Sequence, residues 1–307
     1  MPPKLTDILL IAMYIEIDDL LKEFELYRSN LLKAENLRHR KPTRTTGLSP
    51  SEVCTVIAGY QLSGYKNFQY YYCLFFANGR SDMFPKAPSY SRFVELITRA
   101  LPCMVLWSMF KSAASQRTGT YIVDSKKLQV CHVKRTNSNK VFKGWAAKGK
   151  TSCGWFFGLK IHLVINNLGE IVKFAITPGN IADNNHELLR SLFKGLEGKC
   201  VGDKGYQTKL FEEFLNLGLH LIVKPKKNMA SKLAQTEDLR LLAKRGVIES
   251  VNDILMSVCD IEHSRHRSPF NAMAHICASI VAYQHLEQKP STNSKVRPFH
   301  NTYLRAS

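Results

Sequence analysis

Two hydrophobic rhythms divide the chain. From Met1 to about Ser115 the apolar positions recur on a helical period, and from Tyr121 onward many alternate with polar ones. Thr6 to Leu26 predicts a first helix with acids at Glu16, Asp18, Asp19 and Glu23. Ser49-Pro50-Ser51-Glu52 predicts a helix start, with Ser49 as cap, Pro50 in the first turn and Glu52 reaching back to the cap. Ser89 opens another helix over Tyr90 to Ala100, offering Arg92 and Arg99. Tyr65 to Phe76 is strongly aromatic and reads as core packing more readily than as a base-stacking surface.

Beyond Gly119 the pattern becomes that of strands. Tyr121-Ile122-Val123-Asp124 is a short strand ending on an acid. Phe157, Leu159, Ile161, Leu163 and Ile165 alternate with Gly158, Lys160 and His162, as in a half-buried strand. Asn166 to Gly169 is a turn, and Glu170 to Thr177 returns as the second strand of a hairpin. A helix over His186 to Leu196 follows, with Asp183 as its expected cap. Cys200 to Asp203 is a buried strand, Thr208 to Leu217 a helix, Leu219 to Val223 a strand, and Leu239 to Cys259 the closing helix. This order implies a mixed sheet flanked by helices, an α/β domain behind an N-terminal all-α region.

Charge sharpens this picture. Lys and Arg total 43 against 25 Asp and Glu, a formal +18 with pI near 9.6. Such an excess speaks of a polyanionic partner, and nucleic acid is the default. Basic clusters lie at Arg38 to Arg44, at Lys224-Pro225-Lys226-Lys227 and within Glu262 to Arg267. No secretory signal and no membrane-length apolar run is expected, Ile276 to Tyr283 being far too short. Eight scattered cysteines without a C-x-x-C pair speak against a zinc site and suit a reducing cytoplasm.

Three acids stand out by placement. Asp124 and Asp203 each end an apolar strand, where a carboxylate needs a compensating charge. Glu249 lies beside the stripe Ile248, Val251, Leu255 and Val258 of the closing helix, one turn after Arg245. Three oxygen donors suit Mg²⁺ or Mn²⁺. Taken singly, the aspartates also read as turn residues and Glu249 as the ion-pair partner of Arg245. Asp260 and Glu262 are the rival third acids. Lys160 and His162 share a strand face, read either as a phosphate contact or as a solvated face.

These residues resemble the DDE transposases of bacterial insertion sequences, most closely the group called family nine-eight-two. The resemblance rests on Val123-Asp124-Ser125, Lys143-Gly144 with Gly149, Gly158 to Leu163, Thr177-Pro178-Gly179-Asn180 with Asp183, Gly202-Asp203-Lys204-Gly205-Tyr206, Arg245 with Ile248-Glu249, and Glu262 to Ser268. It implies an RNase H-like fold with a five-stranded mixed sheet, and Asp124, Asp203 and Glu249 as catalytic acids holding two Mg²⁺ or Mn²⁺ ions. It also implies cleavage at element ends, followed by attack of the freed 3′-hydroxyl on target DNA. Lys160, His162, Lys204, Tyr206, Arg245, Arg265 and Arg267 are the expected DNA contacts. The implied partners are terminal inverted repeats and target DNA, bound by a homodimer in a bacterial or archaeal cytoplasm, at the nucleoid and away from membranes. The expected regions are a helical DNA-binding part over 1–115, a catalytic domain over 116–262, and a C-terminal helix with a basic tail over 263–307. One departure is Met256, seven positions after Glu249, where related enzymes often carry a basic residue; Arg245 or Lys244 are the alternatives for that role.

Rival classes remain. A nuclease or resolvase on the same fold would share the acids, and a decayed relative would bind DNA without cutting it. A tyrosine recombinase is suggested by His263, Arg265, Arg267 and Tyr283, but Tyr283 lies in an apolar helical pattern and no separate upstream Arg motif stands out.

Overall fold

The computed structural model describes residues 5–34, 47–152, 154–223, 236–262 and 266–292. The basic segments Arg38 to Arg44 and Lys224 to Lys227, together with Cys153, His263 and Arg265, lie outside the described residues. The chain forms two compact units, one from Met1–Lys111 with Val258–His285 and the other from Ser112–Ser257 with Leu286–Ser307.

The first unit is helical. It contains α1 (Asp7–Ala34), α2 (Pro50–Leu62), a short α3 (Phe68–Tyr70) that runs into a π-helical stretch (Tyr71–Asn78), α4 (Tyr90–Ala113) and, from the far end of the chain, α9 (Pro269–Gln284). The capping box that opens α2 is present: Glu52 N–H donates to Ser49 Oγ at 3.1 Å and Ser49 N–H donates to Glu52 Oε2 at 2.6 Å. Helix α2 is buried along nearly its whole length and packs against α1 and α9. The aromatic run is core: Phe68, Tyr71, Tyr72 and Phe76 are buried, with Tyr72 and Phe93 ring centroids 4.4 Å apart, whereas Tyr65 and Tyr70 are exposed. Helix α4 is longer than the pattern predicted and continues through Pro102. By length and composition alone it could cross a membrane, which corrects the expectation that no such segment exists. Phe93, Leu96, Ile97, Ala100, Met104 and Trp107 along it are nevertheless buried, the disposition of a core helix.

The second unit is the mixed α/β domain. Its strands are β1 (Thr120–Cys131), β2 (Ala147–Thr151), β3 (Gly154–Asn166), β4 (Ile171–Pro178), β5 (Gly198–Gly202) and β6 (Leu219–Val223). The sheet order is β2-β3-β1-β5-β6, with β4 also on β3. On the edge of β3 away from β1, β2 covers Gly154 to Gly158 and β4 covers Leu159 to Ile165. The pairs β1–β5 and β5–β6 are parallel and the others antiparallel. A curled mixed sheet of this order, flanked by helices, is consistent with the RNase H-like fold expected; the polar β2 is the strand the pattern did not announce.

One sheet face carries Tyr121, Val123, Val164, Val172 and Cys200. They pack with Leu188, Leu189, Leu192 and Phe193 of α5 (His186–Phe193) and Phe214 of α6 (Phe211–Asn216). The cap of α5 is Asn185, whose side chain accepts from Leu188 N–H at 3.0 Å, so Asp183 is not the cap. The expected closing helix is broken into α7 (Thr236–Ala243), a 3-10 turn (Lys244–Gly246) and α8 (Val247–Ser257). Its buried stripe is Ile248, Val251, Asn252 and Leu255, with Val258 beyond the helix end.

Candidate metal centre

Strand β1 continues past Asp124 to Cys131, so Asp124 lies within a strand and not at its end. Alternation along β1 places Tyr121 and Val123 on the face covered by α5, and Ile122 and Asp124 on the opposite face. The parallel register pairs Tyr121 with Cys200 and Ile122 with Val201. Two residues further along each chain stand Asp124 and Asp203, and Asp203 keeps extended backbone angles (φ −76°, ψ 171°). The ladder itself ends at Ile122 and Val201, so Asp203 lies just past the end of β5, near enough for its charge to raise the Asp124 carboxyl.

Helix α8 lies on that same face. Asn252 is buried and its Nδ2 donates to Asp124 Oδ2 at 3.2 Å. Glu249, one turn earlier on α8, is exposed at 62%, and its Oε1 accepts from Arg245 at 3.4 Å. The ion pair that the helical spacing allowed is thus formed. Burial pushes the Asp124 carboxyl up to about 6; the Ser125 N–H and the Arg245 charge oppose this, and Asp183 and Asp203 reinforce it. Asp203 is exposed, so its claim rests on its register with Asp124 and not on the cost of burial.

Behind the sheet, on the α5 side, lies a polar cluster. Asp183 Oδ1 accepts from Ser125 Oγ and from Lys160 Nζ, each at 2.9 Å. Lys160 also donates to the Ile181 carbonyl at 2.8 Å. His162 is fully buried and shares a hydrogen bond with Thr177 Oγ1 at 3.0 Å; its Nδ1 is 3.9 Å from Asp183 Oδ1. Burial holds its pKa down to about 4, against the raising effect of Asp183, so the ring is neutral at physiological pH. Tyr206 is buried in the same region and burial pushes its phenol up. Lys160 (9% exposed) and His162 therefore do not form a solvated face.

Of the other basic residues singled out, Lys204 is exposed beside Asp203, Arg245 is partly buried on Glu249, and Arg267 is exposed in the helical unit. Arg265 lies outside the described residues. The rival acids Asp260 and Glu262 fall after α8 has ended, in the helical unit. Tyr283 is fully buried, which removes it as a nucleophile for covalent capture of DNA. Asn252 is the neighbour of Asp124 that sequence reasoning missed, whereas Ser125 and Asp183 entered only as parts of motifs and, for Asp183, as a cap. Asn252 carried a signal, being a polar residue inside the apolar stripe of α8.

Asp124, part-buried and without a cationic side chain bonded to it among the described residues, and Asp203 near it are carboxylates of the kind a hard divalent cation takes. Among the described residues no three His, Cys, Asp or Glu side chains stand close enough to hold a metal, and the Glu249 carboxylate is paired with Arg245.

No match is found among curated proteins. The family model described as transposase DDE domain matches residues 114–269, just over half of the chain and all of the segment that carries the acids, the sheet and α8. The chain belongs to the DDE transposase domain family, whose members act on DNA and generally use divalent metal ions.

Proposed function

We propose that the protein is an active insertion-sequence transposase, of the group called family nine-eight-two, which cuts DNA at element ends and joins the freed 3′-hydroxyls to target DNA. Asp124, Asp203 and Glu249 are its metal-binding acids. What supports this reading is the parallel pairing of β1 with β5, whose ladder ends two residues before each aspartate, together with the Asn252 bond from α8 to Asp124. Mg²⁺ or Mn²⁺ held there, as two ions, would supply activation of the attacking oxygen and charge compensation on the leaving oxygen.

The chain's own residues then have distinct tasks. Asn252 orients the Asp124 carboxylate by its hydrogen bond. Glu249 completes the set when its carboxylate turns from Arg245 toward the sheet, which frees the guanidinium for a DNA phosphate and gives Arg245 the role left open at Met256. Lys204, exposed next to Asp203, contacts the DNA backbone, and Arg265 and Arg267 are further DNA contacts. Lys160, His162 and Tyr206, being buried, brace the site and do not touch DNA in this arrangement. The helical unit recognises the terminal repeats, and the protein acts as a homodimer in the cytoplasm.

The test is strand cleavage of element-end DNA with Mg²⁺ or Mn²⁺. Asp124→Asn and Asp203→Asn are each expected to lower cleavage by more than about 100-fold while leaving DNA binding intact. Full cleavage by either variant would overturn the assignment. Products cut but never joined would favour a nuclease.

A further inference from the structure

We propose that Asp183 is a positioning residue that locks the two metal-binding aspartates to each other from the opposite face of the sheet. This rests on the reading of Asp124 and Asp203 as metal ligands.

The loop between β4 and α5 carries Asp183, and α5 does not use it, since Asn185 supplies the cap. Its carboxylate instead joins three separate parts of the domain. Oδ1 accepts from Ser125 Oγ of β1, the residue after Asp124. The same oxygen accepts from Lys160 Nζ of β3, and Lys160 also ties down the loop itself through the Ile181 carbonyl. Oδ2 packs against Gly205, two residues after Asp203; a Cβ at that position would stand only 3.3 Å from it. One carboxylate is thus bonded to the neighbour of one ligand and seated against the loop that carries the other.

Strand geometry turns this into control of direction. Ser125 and Asp124 point to opposite faces of β1. Holding Ser125 on the α5 side fixes the backbone at Asp124, and so the aim of its carboxylate on the α8 side. The Lys160 and His162 side of the arrangement is shielded. Lys160 is 9% exposed, His162 is fully buried, and the His162 Nδ1 has no hydrogen-bond partner among the described residues, its approach to Asp183 Oδ1 being 3.9 Å. The Lys160 ammonium is largely buried while the Asp183 carboxylate keeps 28% side-chain exposure, and the bonds of one carboxylate oxygen to both β1 and β3 hold the loop in one geometry. A carboxylate so held aligns the metal ligands through their neighbours.

The test uses the full chain, with Mn²⁺ binding followed by calorimetry alongside cleavage, DNA binding and thermal melting. Asp183→Ala leaves the Lys160 ammonium buried without its partner and can fail to fold. Ser125→Ala and Gly205→Ala probe the same link without touching Lys160: one deletes the hydroxyl, the other presses a methyl group onto Oδ2. Both are expected to weaken Mn²⁺ binding by about 10-fold, with cleavage recovering at high Mn²⁺ and with DNA affinity and melting temperature close to those of the parent. Unchanged Mn²⁺ affinity in both variants, while Asp124→Asn loses it, would overturn the proposal. So would a fall in melting temperature with the metal dependence unmoved, since that is a purely structural role. If Asp124→Asn itself binds Mn²⁺ as the parent does, the assignment of the acids fails first, and this inference with it.

Discussion

Asp124 sits in an environment that opposes its own charged form. Its carboxyl is raised from 3.8 to about 6, chiefly by burial. A carboxyl whose folded value lies above its unfolded one binds its proton more tightly in the folded chain. The folded state therefore carries no penalty below about pH 4, and the full penalty above about pH 6. A rise of that size corresponds to about 3 kcal/mol. Asp124→Asn is expected to raise the melting temperature of the metal-free protein by several degrees at pH 8 and to leave it nearly unchanged at pH 4, as thermal denaturation at the two pH values will show. An equal gain at both would mean that charge burial is not the cause. Asp124 was legible in the sequence because an acid among Tyr121, Ile122 and Val123 is out of place. Asp203 was selected by the same argument, yet it is exposed; what places it is a strand register that no local pattern encodes. Asp183 was misread as a cap because Asp183 and Asn185 are equally good cap types two residues apart, and only the hydrogen bond to Leu188 decides between them.

At the scale of elements, β3 is the spine of the domain, with β1 on one edge and β2 and β4 on the other. Its regular apolar alternation made it readable. Its full reach was not, because Gly154 to Phe156 gain strand form by pairing with β2, whose Ala147-Lys148-Gly149-Lys150-Thr151 has no strand-like apolar pattern of its own. Gly158 shows how tightly β1 lies on this spine. It pairs with Gln129 just before the register shift in β1, and a Cβ there would stand 2.0 Å from the Leu128 carbonyl oxygen. Backbone atoms cannot give way as a side-chain tip can. Gly158→Ala is expected to destabilise the domain by about 1–3 kcal/mol or more, read from chemical denaturation. A neutral result would show that β1 can shift on β3 and so is not a fixed platform for Asp124. The closing helix was read as continuous because the apolar spacing carries through Leu241 to Val251; the 3-10 turn at Lys244–Gly246 resets its phase, and places Arg245 one turn ahead of Glu249.

The whole molecule is strongly basic, and this was the most direct statement the composition made about function. If the +18 charge serves phosphate contacts, affinity for element-end DNA must fall steeply with salt. Six to ten contacts would lower it by about 10³–10⁵ between 50 and 200 mM. A nearly flat dependence in a binding titration would separate the charge from DNA recognition. The return of α9 to the helical unit was hidden from sequence reading for another reason: its packing against α2 is a contact between segments at opposite ends of the chain.

The pairing of β1 with β5 has a consequence for how such a site is inherited. The approach of Asp124 and Asp203 is set by the hydrogen-bonded ladder that ends two residues before each of them, not by the chain that runs between them. Residues can be gained or lost in the turns of that intervening stretch without changing the ruler. A relative of very different length can hold the same two acids at the same separation, and counting residues from one aspartate to the next would miss it where aligning the two strands would not.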